Sequence, residues 1–133
     1  MCIRDSLGAI ITGVDLSKEI NEDQFKDIHK AFLDNQVLFF QNQNEIAPEI
    51  HLKLGKLFGE LHVHPAAPSM PGYPEIFEIH AHKNSKVANG EFWHSDVSCD
   101  IEPPLGTMLQ LHILPETGGD TMFSDMYLSL IHI

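Results

Sequence analysis

Leu105-Gly106-Thr107-Met108-Leu109-Gln110-Leu111-His112-Ile113 is the stretch on which the fold class turns. Leu105, Thr107, Leu109, Leu111 and Ile113 alternate with Gly106, Met108, Gln110 and His112. That period of two sends successive side chains to opposite faces of an extended chain and predicts a strand with one buried face. Immediately after it, Pro115 to Asp120 contains Gly118-Gly119 and predicts a turn. A strand of this kind buries its apolar side only against other strands or helices, so the segment implies a sheet.

Upstream, Pro65, Pro68, Pro71, Gly72 and Pro74 crowd what reads as one long loop. Before that loop the period changes. Pro48 suits the first turn of a helix carrying Ile50, Leu54, Leu57 and Phe58, with Gly59 as its stop. Val37-Leu38-Phe39-Phe40 is a short apolar run of strand type. Phe25, Ile28, Phe32 and Leu33 recur at helical spacing behind Asn21, whose side chain can cap a helix with Gln24 in the capping-box position. Gly8 to Val14 reads as an opening strand between glycines. No internal repeat, low-complexity tract or linker interrupts the chain. The expected class is α+β, mainly β, with helices leading into a sheet.

The two ends read differently from what they flank. Residues 1–6 and 128–133 match, in translation, the two strands of a transposon-end adapter used in sequencing libraries. They are therefore expected to be foreign to the protein, with residues 7–127 its own. Setting them aside removes Arg4 and Asp5 and leaves the net charge at -11. So acidic a surface argues against nucleic acid or an anionic membrane as partner and leaves a small molecule or a metal as the natural ligand. It also removes Cys2, so Cys99 stands alone without an internal disulfide partner. A reducing compartment, the cytoplasm, is expected, with Cys99 as a small buried hydrophobe.

Phe92-Trp93-His94-Ser95-Asp96 carries the strongest chemistry. One residue separates an imidazole from a carboxylate, and on an extended segment both face one side, where they could take adjacent positions on a metal. The tripeptide alone is a weak signal, since among nine histidines in 133 residues one can readily meet an aspartate two positions on by chance. A structural histidine hydrogen-bonded beside a surface aspartate fits it equally. His80 and His82 also alternate, but no carboxylate stands at matching spacing, which favours a structural or solvent-facing role. His29 and His51 fall on predicted helices and read as surface residues.

Four ordered segments place these residues in a larger pattern. They are Phe58-Gly59-Glu60-Leu61-His62-Val63-His64-Pro65, Phe92 to Ser98, Pro103-Pro104, and Pro115-Glu116-Thr117-Gly118-Gly119-Asp120-Thr121. Together they resemble the taurine dioxygenase (TauD/TfdA) family of iron(II)- and 2-oxoglutarate-dependent dioxygenases, with looser likeness from Gly8 to Phe58. The resemblance implies a double-stranded β-helix, or jelly roll, with helical decoration, of which residues 7–127 would be the N-terminal part. It implies His94 and Asp96 as two of three iron ligands, Thr121 as a hydroxyl contact to 2-oxoglutarate, and His64 and Asn89 as substrate-binding residues. Ala67 stands where the taurine enzyme has an aromatic residue, and Gly90 where it has an asparagine, with Asn89 adjacent.

Activity of this kind would consume 2-oxoglutarate and O2. It would release succinate and CO2 and hydroxylate a small organic substrate of sulfonate, sulfate ester, ether or amine type. The distal histidine and the arginine that pairs with 2-oxoglutarate are not recognisable in the chain, so the chain by itself is expected to be inactive. A homo-oligomer at full length is compatible with this reading. Two others stay open: a non-catalytic jelly-roll binding module in which His94 and Asp96 hold structure, and a zinc hydrolase.

Overall fold

A computed structural model describes residues 7–65, 68–82, 84–85, 90 and 92–127. The chain divides into two compact units, one formed by Met1–Glu45 with Gln110–Ile133 and the other by Ile46–Leu109.

The first unit is built on a strand–helix–strand motif. Strand β1 (Ala9–Ile11) pairs in parallel with β2 (Leu38–Phe40), and helix α1 (Glu22–Asn35) makes the crossover. Parallel strands require such a connection, because a tight turn cannot bring two chain segments into the same direction. Helix α1 begins where the capping box predicts. The Asn21 side chain accepts from the Gln24 amide at 2.9 Å, and the Gln24 side chain accepts from the Asn21 amide at 3.1 Å. Ile28 is the helix's buried residue, Phe25 and Phe32 are half-buried, and Leu33 remains 59% exposed. The apolar face is thus narrower than the spacing predicts.

Gly8 opens the motif at φ +91, and a Cβ there would stand 3.1 Å from the Phe39 ring and 3.3 Å from the Val37 carbonyl. Both the backbone angle and the close approach require glycine. Leu16, buried in the following loop, is held by Gln43: the Leu16 amide donates to Oε1 at 2.8 Å, while Nε2 donates to the Val14 carbonyl at 3.0 Å.

In the second unit, helix α2 (Pro48–Phe58) starts on proline and ends at Gly59 as its sequence predicts, with Leu54 buried. The proline-rich stretch does not form one uninterrupted loop. Strands β3 (Ser69–Met70) and β4 (Tyr73–Phe77) make a short antiparallel hairpin around Pro71-Gly72. Proline suits the first central position of such a turn, and Gly72 at φ +84 supplies the positive angle that the second requires. The Tyr73 hydroxyl donates to the Glu49 carboxylate and ties β4 to α2.

The α+β class holds, but the weighting toward β does not among the described residues. Helices of 14 and 11 residues outweigh four strands of two to five. No strand forms over 105–113, and Leu109, Leu111 and Ile113 are 60%, 65% and 82% exposed. The physical reason is pairing: alternation prepares a strand, but a strand exists only when a neighbour takes its amides and carbonyls. No jelly roll is formed by the described residues.

Candidate metal centre

His94 and Asp96 lie in the second unit, His94 just before and Asp96 at the first position of a turn spanning 96–99 that the Asp100 amide closes by donating to the Val97 carbonyl at 3.1 Å. Val97 sits at φ +50, a left-handed conformation costing a β-branched residue about 1–3 kcal/mol. The strained residue follows directly on Asp96. Cys99, expected to be buried, is exposed on this turn.

The pair itself is close. His94 Nε2 stands 3.3 Å from Asp96 Oδ1, and His94 Nδ1 is 2.7 Å from the Phe92 carbonyl oxygen. A carbonyl can only accept, so Nδ1 carries the proton and Nε2 of a neutral ring is left with its lone pair facing the carboxylate oxygen. Two acceptors facing each other need a cation or a proton between them. Metal bonds of about 2.1 Å meeting at right angles put neighbouring donor atoms about 3 Å apart. The donor set and its spacing therefore fit two adjacent ligands of one divalent ion, and the Phe92 carbonyl fixes the ring as a ligand histidine requires. Among the described residues, no group of three His, Cys, Asp or Glu side chains could hold a metal.

Asp96 has one more partner that sequence reading missed. Thr107 Oγ1 donates to Asp96 Oδ2 at 2.8 Å. The available signal was its position: it is the polar member of the otherwise aliphatic series Leu105, Leu109, Leu111 and Ile113. Gly90, at φ +91, stands beside the histidine, since a Cβ there would lie 3.8 Å from His94 Cε1. Asn89, the neighbouring substrate candidate, and Ala67 fall outside the described residues.

His64 is exposed and stacks on Phe77, with ring centroids 6.1 Å apart at 23°. His62 meets it edge-on at 6.3 Å, has Nδ1 3.8 Å from Asp100 Oδ2, and leaves Nε2 buried without a hydrogen-bond partner. Thr121 belongs to the first unit and is exposed, following Gly118 and Gly119 at φ +74 and +78. Both glycines take the left-handed angles that their sequence anticipates. His80 and His82 follow β4 in a non-strand segment, edge to face at 5.9 Å. His29 and His51 are half-buried on their helices rather than at the surface. No helix among the described residues is long and apolar enough to cross a membrane.

Comparison with known proteins adds the context that geometry lacks. The sequence model of the family described as taurine catabolism dioxygenase TauD, TfdA family matches residues 3–132. An alkylsulfatase of Acinetobacter baylyi is 37% identical over 119 residues, which cover 90% of this chain and 37% of that protein. An alpha-ketoglutarate-dependent sulfate ester dioxygenase of Pseudomonas putida is 29% identical over 119 residues, covering 90% of this chain and 38% of its own. For an alpha-ketoglutarate-dependent sulfonate dioxygenase of Saccharomyces cerevisiae the figures are 28% over 133 residues, 92% and 32%. The chain thus spans about a third of the length of these relatives.

Proposed function

The chain belongs to the TauD/TfdA family of dioxygenases, and from that premise we propose that it supplies the His94–Asp96 half of an iron(II) centre in a 2-oxoglutarate-dependent dioxygenase. The observation that carries this reading is the facing of His94 Nε2 and Asp96 Oδ1 at 3.3 Å with Nδ1 held by the Phe92 carbonyl. A histidine and a carboxylate presented together leave room for a third protein ligand and three open positions, the arrangement that non-haem iron oxygenases use. With 2-oxoglutarate and O2, such a centre supplies an oxidant that hydroxylates an unactivated carbon, with release of succinate and CO2.

The chain's own residues bind and orient. Thr121 donates its hydroxyl to a carboxylate of 2-oxoglutarate, the role its place after Gly118-Gly119 suits. His64, backed by Phe77, donates to an anionic substrate group, and Asn89, by its place in the sequence pattern, is the second residue assigned to the substrate. Relatives named for sulfate esters and sulfonates support a substrate of that class. Hydroxylation of the carbon bearing such a group releases it. The third ligand and the cation that pairs with 2-oxoglutarate come from outside the described residues. Residues 1–6 and 128–133 remain, on this reading, foreign to the protein.

The test is spectroscopic and uses the full-length protein. Anaerobic addition of iron(II) and 2-oxoglutarate should raise the weak visible charge-transfer band of the chelate, and His94→Ala and Asp96→Ala should abolish it. A folded, iron-loaded protein that shows no band, or a His94→Ala variant that keeps it, overturns the proposal.

A further inference from the structure

Asp96 gives its two carboxylate oxygens to different partners. Oδ1 faces His94 Nε2 at 3.3 Å, while Oδ2 accepts from Thr107 Oγ1 at 2.8 Å. We propose that Thr107 is a positioning residue that holds Asp96 as a one-oxygen metal ligand; this rests on the reading of His94 and Asp96 as ligands and goes beyond it.

The carboxylate needs such a restraint. Rotation about its last bond is soft and two-fold, so an unpinned carboxylate exchanges its oxygens or offers both. The Asp96 side chain is half exposed, and surrounding packing does little to choose between them. Thr107 is well suited to choose. A β-branched side chain has few χ1 options, which sets the direction of its hydroxyl, and an ionised carboxylate can only accept, so the hydroxyl must donate. The contact spans 11 residues of sequence and fastens the strained turn after Asp96 to the segment beyond Pro103-Pro104.

The consequence lies in coordination number. A carboxylate whose Oδ2 accepts from a fixed hydroxyl has that oxygen turned toward the donor, which favours Oδ1 as the one oxygen offered to a metal. One that offered both oxygens would fill a position that a co-substrate or oxygen needs. The hydroxyl therefore protects the open side of the site as well as the ligand's aim. Valine has the same shape as threonine without the hydroxyl, so Thr107→Val removes the hydrogen bond to Asp96 and leaves the bulk of the side chain in place.

The experiment compares Thr107→Val, Thr107→Ser and His94→Ala in the full-length protein. Iron(II) affinity is read by anaerobic competition with a chelating dye, and coordination number by the visible spectrum after cobalt(II) loading. Thr107→Val should weaken iron(II) binding about 10–100-fold, the usual cost of losing a residue that orients a metal ligand, and shift the cobalt(II) spectrum toward higher coordination. Thr107→Ser, which keeps the hydroxyl, should restore both. A purely structural threonine would lower the unfolding temperature of the metal-free protein and leave the cobalt(II) spectrum alone. Wild-type affinity and spectrum in Thr107→Val, in a protein whose His94→Ala variant loses the metal, overturn this proposal and spare the ligand reading. Retention of metal by His94→Ala overturns both.

Discussion

A carboxylate far from His94 and Asp96 in sequence shows how much a single residue's surroundings can do. Asp15 accepts from the Ser17 hydroxyl at 2.6 Å and the Ser17 amide at 3.1 Å, and pairs with Lys18 Nζ at 3.0 Å. The Ser17 hydroxyl, then Lys18, then the Ser17 amide all favour its charged form and lower its pKa from 3.8 to about 2. A carboxylate whose pKa is depressed by folding stabilises the folded state above its unfolded value. That stabilisation fades as pH falls and is gone once pH has passed through the folded value. The window for Asp15 therefore runs from about 4 down to about 2. Asp15→Asn keeps a hydrogen-bond acceptor and loses the charge. It should be less stable than wild type at neutral pH, and the difference should close across that window. Urea unfolding of both proteins through the acid range checks this, and a gap independent of pH would refute it.

At the scale of elements, burial rather than sequence spacing decides which apolar residues matter. Leu54 on α2 is 5% exposed, whereas Leu33 on α1 is 59% exposed although it belongs to the same kind of helical series. Leu54→Ala removes buried methyl groups and leaves a cavity, which should cost about 2–5 kcal/mol. Leu33→Ala trims a side chain already in water and should stay within about 0.5 kcal/mol of wild type. Denaturant midpoints of the two variants measure the contrast, and equal losses would mean that Leu33 is buried in solution. Helix α2 also depends on its link to β4. The Tyr73 hydroxyl lowers the Glu49 pKa and is itself raised by that carboxylate, so the bond is at full strength from mildly acid pH to the ordinary tyrosine range.

For the whole molecule, exposed apolar side chains are the dominant feature of the described residues. Phe92 is 83% exposed, Trp93 68%, Ile101 fully, Ile113 82% and Leu114 72%. Side chains of this kind in solution bind apolar dyes and associate. On the proposed reading the described residues bring two ligands and no third, so the 133-residue chain by itself should form no succinate from 2-oxoglutarate, whereas the full-length protein should. Succinate measured after incubation with iron(II) and 2-oxoglutarate decides the matter, and turnover by the short chain would refute the expectation.

Much of the local structure was legible in residue order because its causes are local. Asn21 with Gln24 starts α1, Pro48 and Gly59 bound α2, and Gly118 and Gly119 take positive φ angles ahead of Thr121. The spacing of His94 and Asp96, read with the surrounding family segments, was enough to nominate them as a candidate metal pair. The other features depend on contacts between residues distant in sequence. Alternation over 105–113 could not make a strand without a neighbour, and Leu33 and Cys99 could not reveal that they are exposed. Sequence by itself determined the helices and their caps, because those follow from propensity and capping within a few positions. Only the tertiary structure decided that β1 and β2 run parallel, that Tyr73 ties β4 to α2, and that Thr107 closes on Asp96. Hydrogen bonds across 11, 24 or 29 positions exist only once the chain has brought their partners together.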